Sequence, residues 1–168
     1  MNLIEAQTRL LSDRKLRERF AEEPVVVACD LGVAESEVAA LCGLNVEQLN
    51  HQARVLVSKR MHEVRKLLPS TCGNLGAEFE PVFLRYAETN WPKGHRRHLI
   101  DAAGFLESLE AGRHPAVCAV EKLRIRFLAT GRRFGIALNR SRKTLIALTV
   151  FWRWRGERRE WTLSFGER

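Results

Sequence analysis

His95, His98 and Asp101 stand three apart in the stretch NWPKGHRRHLID. On a helix this spacing puts His98 and Asp101 on one face, and three such side chains could hold a metal ion. A complete site needs a matched set of ligands, which the flanking sequence does not offer. The simpler reading is that His98 and Asp101 cap and orient a helix start, with His95 on the surface. Cys72, in LLPSTCGN, could act as a nucleophile only with a base in hydrogen-bond reach, and no partner can be named for it. Cys29, Cys42, Cys72 and Cys118 form no CxxC and no Cys/His pair at a metal-finger spacing. They read as four free thiols, mostly buried as small apolar residues. Neither phosphate-binding nor nucleotide-binding glycine loops appear, nor a GxSxG elbow, nor HExxH. The chain therefore reads as a binding or partner protein with no catalytic residue and no cofactor of its own.

The charge is unevenly placed. Residues 1–112 hold 14 Lys or Arg and 16 Asp or Glu, a net −2, whereas residues 113–168 hold 14 and 4, a net +10. That asymmetry predicts two modules with different partners. With 45% apolar and 29% charged residues over 168 positions, the composition is that of a folded chain and excludes a disordered one. No apolar run is long enough to span a bilayer. The first twenty residues lack the layout of a signal peptide, so the expected compartment is the cytoplasm.

The elements that must position these residues change character along the chain. In DRKLRERF, Leu16 and Phe20 lie four apart, and Pro24 stops that helix. Ala34 to Leu41 reads as a short helix capped by Gly43. Asn45 followed by Gln48 resembles a capping box before the longest helix, Val46 to Leu68. Its apolar stripe is Leu49, Ala53, Leu56, Val57, Met61, Val64 and Leu68, and Pro69 ends it. The charges on its outer face, Arg54, Lys59, Arg60, Arg65 and Lys66, read as a solvated surface. Another helical stretch covers about residues 76–89, with Pro81 implying a kink or a late start near Glu80. Leu99, Ala103, Leu106 and Leu109 mark a further helix closed by Gly112.

Beyond residue 112 the apolar period becomes two. LRIRFLA sets Leu123, Ile125 and Phe127 against Arg124 and Arg126; RRFGIAL, TLIALTVFWRWR and EWTLSF follow as strands. The fold class is α+β: a helical domain, 1–112, then a basic antiparallel β-meander of about four strands, 113–168. A two-residue loop with glycine first, Gly156-Glu157, suits a type II′ turn. That register pairs Trp152 with Trp161, Val150 with Leu163, Leu148 with Phe165, and Arg153 with Glu160. It makes Trp152 and Trp161 a core pair more readily than a ligand platform, and leaves Trp154 as the exposed aromatic.

The segments LLSDRKLRERFAEEP, LGVAESEVAAL, VLVSKRMHEVRKLLPSTCGNLGAEF and FLRYAETNWPKGHRRHLIDAAGFLESL, over about residues 9–110, resemble a family of bacterial proteins. These are the partner subunits of multinuclear non-haem iron oxidases that modify ribosomally made peptides, as in the methanobactin and thiaglutamate pathways. The resemblance implies that a separate TIM-barrel enzyme holds the iron and oxidises the substrate. This chain would form a heterodimer with it, grip the leader of a precursor peptide and present the core. Arg60, Arg65, Pro69, His95, Arg96, His98 and Asp101 sit on the recognisable motifs and become candidate enzyme-contact or structural positions. Pro81 departs from the family pattern.

A sheet edge can accept an extended peptide as an added strand, and a +10 module would attract an acidic leader. Arg124, Arg126, Arg153, Trp154 and Arg155 are the candidate peptide-binding residues. Two other functions fit the same sequence. One is nucleic-acid binding through the Trp/Arg-rich sheet, although no RRM, KH or helix-turn-helix signature is present. The other is a soluble adaptor for an unrelated protein. A membrane-surface role is disfavoured, because the arginines alternate along strands instead of lining one helix face.

Overall fold

The computed structural model describes residues 1–112, 114, 116–130, 134–140, 146–154 and 157–165. The chain is mostly helical with a small antiparallel sheet at its C-terminal end, an α+β fold. It divides into two compact units. One comprises Met1–Arg60 and Ala87–Trp91; the other, Met61–Tyr86 and Pro92–Arg168.

The first unit is built from α1 (Leu3–Ser12), α2 (Arg14–Glu22), α3 (Pro24–Asp30), α4 (Glu35–Cys42) and the first part of α5 (Val46–Leu67). The starts of α1, α2, α3 and α5 have local causes. Asn2 and Glu5 form a reciprocal capping box at α1. Asp13 accepts the Leu16 N–H at α2, and Pro24 stands at the first position of α3, where its missing N–H costs nothing. Asn45 Oδ1 accepts the Gln48 N–H at 3.0 Å to open α5, the cap expected from the sequence. Arg17 Nη1 donates to the Leu10 and Leu11 carbonyls and so satisfies the end of α1. Ala6, Leu10, Phe20, Val27, Ala28, Leu41 and Leu49 make this unit's core.

In the second unit, Pro69 both ends α5 and begins α6 (Pro69–Leu75). That helix has no cap of its own. The Glu121 carboxyl, buried, accepts the Ser70 N–H at 2.6 Å and the Thr71 N–H at 2.8 Å. A side chain fifty residues away thus supplies the missing acceptor. A 3-10 turn (Gly76–Glu78) leads into α7 (Phe79–Thr89). Pro81 lies in the first turn of α7, where an absent N–H breaks no intrahelical bond, so the late start is realised without a kink at Pro81. Phe79, Phe83 and Tyr86 of α7 pack against Phe105 of α8 (Arg97–Ala111) at 5.4–5.8 Å between ring centroids. Tyr86 Oη donates to the Asp101 carbonyl at 3.2 Å.

The first expected strand is a helix. LRIRFLA lies inside α9 (Ala119–Thr130). Glu121, Ile125 and Phe127 are buried, while Val120, Leu123 and Leu128 are half-buried. Glu121 reaches α6, whereas Phe127, Val120, Leu123 and Leu128 pack around Phe151 of the sheet. A helix covered on more than one side carries apolar residues all round, and over seven residues that looks like alternation. The sheet therefore has three described strands in the order β1-β2-β3: β1 (Phe134–Arg140), β2 (Ile146–Trp154) and β3 (Glu157–Phe165), each neighbour antiparallel. Among the described residues no helix is long and apolar enough to cross a membrane.

Candidate functional site

The pleat of the sheet sorts its side chains onto two faces. One face is closed by α9. Phe151 is 2% exposed and Thr149 1%, and the Phe151 ring lies 5.9 Å from that of Phe127. Gly135 stands beside Phe151 in the register, and a Cβ there would sit 3.5 Å from Phe127 Cδ2. Thr149 and Thr162 hydroxyls meet at 3.1 Å across β2 and β3. Arg124 of α9 grips Glu160 of β3 with two bonds, at 3.0 and 2.6 Å, and ties helix to sheet.

Among the described residues the opposite face is mostly apolar and partly exposed, with Arg159 and Glu157 sharing it by register. Phe134 stands across from Trp152, Ile136 from Val150, Val150 from Trp161, Leu148 from Leu163, and Trp152 from Arg159. Phe134 is 56% exposed, Ile136 53% and Trp161 55%. Leu148, Val150, Trp152 and Leu163 are half-buried among them.

Two expectations are corrected here. The β2–β3 register is displaced by two residues, with Trp154 opposite Glu157 and Trp161 opposite Val150. The strands stop at Trp154 and resume at Glu157, so the connection is Arg155-Gly156, outside the described residues. A shift of two keeps every side chain on its face. The expected register follows from a Gly156-Glu157 turn and implies an Arg153–Glu160 pair, but the strands pair Trp154 with Glu157 and the cation for Glu160 is Arg124 on the helix. Arg153 stands opposite Arg158 instead. Trp152 and Trp161 do not pair across the strands either: Trp161 stands opposite Val150 and is 55% exposed, and Trp152 stands opposite Arg159 and is half-buried, on the face away from Phe151 and α9.

The candidate peptide-binding residues separate. Arg124 and Arg126 belong to α9 and not to a strand; Arg124 is engaged by Glu160. Arg126 is exposed and lines a cleft with Glu110, His114, Lys122 and Leu123. Arg153 and Trp154 lie in β2, and Arg155 falls outside the described residues. The motif residues also separate. Arg60 lies in the first unit, its guanidinium 4.9 Å from the Trp91 ring centre and donating to the Asn90 carbonyl at 2.7 Å. Arg65, in the second, stacks 4.8 Å over Phe79. Pro69 opens α6, and Arg96 stands at the N-cap position of α8 with no side-chain cap bond, its Nη1 donating to the Leu128 carbonyl at 3.4 Å. His95 and His98 are exposed while Asp101 is buried, so His98 and Asp101 do not share an environment. Among the described residues no group of His, Cys, Asp or Glu is placed to hold a metal ion. The four cysteines are free thiols, with Cys29 exposed and Cys72 buried. Sequence reasoning missed the exposed trio Phe134, Ile136 and Trp161. Their shared parity was the available signal, but parity cannot say which face a helix will cover.

Residues 40–111 match a family model, the SCO6045-like C-terminal domain. The match runs from the end of α4 through α8 and leaves α9 and the sheet outside it. Its description names no activity. No curated protein matches the chain, and no solved structure does.

Proposed function

We propose that this chain is a non-catalytic partner protein of the cytoplasm that binds a precursor peptide and presents it to a separate multinuclear non-haem iron oxidase. The observation that carries the reading is the C-terminal sheet. It belongs to a stretch of net +10, and β1 and β3 each pair on one side only among the described strands. An extended acidic leader added to such an edge gains main-chain hydrogen bonds, and the positive field speeds its encounter. The helical motifs between about residues 9 and 110 support the choice of enzyme class, by their resemblance to the partner subunits of such oxidases. Iron belongs to the enzyme in this scheme. The test is a titration of the full chain with an acidic leader peptide. Saturable binding that weakens with salt is expected; no binding at either 50 or 150 mM salt would overturn the reading.

One observation favours a second reading. Trp161 is exposed on the sheet face that also carries Arg159, an arrangement that can stack a base and hold a phosphate. Single-stranded DNA or RNA retained at about 150 mM salt would support it; no mobility shift there would exclude it.

A further inference from the structure

We infer that the open face of the sheet, made by Phe134, Ile136, Val150, Trp152, Trp161 and Leu163, is a docking surface for an acidic amphipathic helix of a partner polypeptide. This rests on the partner reading above and adds a second contact, distinct from the strand edge. Three properties of the face select the occupant. The first is backbone chemistry. A segment lying on a face, unlike one at an edge, receives no main-chain hydrogen bonds from the sheet, so it must satisfy its own, as a helix does. The second is size. Strands of seven to nine residues side by side give a face about 30 Å long and about 15 Å wide, which suits one helix of about 10 Å diameter. Its roughly 450 Å² is about half of what each partner buries in a stable complex of two folded proteins. The third is charge. By register position Arg140, Arg159 and Glu157 fall on this face, a net +1, and the stretch around it, residues 131–168, holds ten Lys or Arg against three Glu, a net +7. A second copy would set +7 against +7, whereas glutamates flanking an apolar stripe would be attracted. A helix there would complete a third layer opposite α9 and remove exposed aromatic surface from water.

The test uses the full chain and four labelled probes read by fluorescence anisotropy. They are an 18-residue helix-forming peptide with Leu and Phe on one face and Glu elsewhere, its Lys-for-Glu counterpart, its Ser-for-Leu/Phe counterpart, and an 18-nucleotide oligo-dT. Binding of the first at least tenfold tighter than the other three is expected. The double substitution Ile136→Thr with Trp161→Thr, which keeps β-forming residues in both strands, should weaken it tenfold or more. Ile4→Thr, at a residue 75% exposed in the first unit, should change nothing. Amide exchange in β1–β3 of the double variant, compared with wild type, confirms that the sheet persists; Trp161→Thr alone replaces the pair if it does not. Affinity unchanged by the face substitutions, equal binding of the lysine peptide or the oligonucleotide, or no binding of the acidic peptide would each overturn the inference. Capture of the iron oxidase by the double variant at wild-type affinity would overturn the face and leave the partner reading standing. Loss of the oxidase with retained peptide binding would do the reverse.

Discussion

Cys72 and Cys29 should part company under alkylation. Burial pushes the Cys72 thiol up to about 11, the Glu121 charge adds to the push, and Arg65 opposes it. The folded value is thus raised above the ordinary 9.0. The contribution to stability is complete below about 9 and is lost as pH rises through about 11. At pH 8 iodoacetamide should label exposed Cys29 in the folded protein and Cys72 only after unfolding, read by peptide mass mapping. Equal labelling rates would contradict the burial. Glu121 gives a sharper residue-scale test. Glu121→Ala leaves the Ser70 and Thr71 N–H groups without their acceptor, at a cost of about 2–4 kcal/mol. Glu121→Gln, which keeps one carbonyl acceptor, should cost less. Urea unfolding measures both, and a loss below about 1 kcal/mol in the alanine variant would show that water replaces the carboxyl.

At the scale of elements, the α7–α8 contact depends on an absent side chain. A Cβ on Gly104 would lie 2.6 Å from Tyr86 Oη, and Tyr86 is wedged 5.7 Å from Phe83 and 5.6 Å from Phe105. Gly104→Ala should destabilise by about 1–3 kcal/mol through overpacking, seen as a lower Tm; an unchanged Tm would mean that the ring can withdraw. The α9–sheet contact has its own test. A double-mutant cycle on Arg124 and Glu160, whose side chains are about one-third exposed, should give a coupling of about 0.5–1 kcal/mol. The sequence made α5, its Asn45 cap and the late start at Pro81 legible, because caps and prolines act within a turn of where they stand. It misassigned α9, because burial on two sides hides the helical period. It misplaced the hairpin register by two residues, because a turn with glycine first puts the loop at Gly156-Glu157 while the strands pair Trp154 with Glu157. The parity of the strands was readable and is correct. Which parity faces water depends on where α9 docks, and no local pattern encodes that.

At the scale of the whole molecule, charge is segregated along the chain, with net −2 before residue 113 and +10 after it. If the basic stretch recruits an acidic peptide, association should slow steeply between about 50 and 300 mM salt, while dissociation changes little. Stopped-flow anisotropy separates the two rates, and a salt-independent association rate would remove charge from the account. The partner reading as a whole rests on a complex with an enzyme, so the most direct measurement is a co-purification. The tagged protein, co-expressed with a multinuclear non-haem iron oxidase, is recovered and weighed by light scattering, with iron measured in the same fraction. A 1:1 complex carrying iron is the predicted result. Recovery of this chain alone, with the oxidase soluble in the unbound fraction, would contradict it.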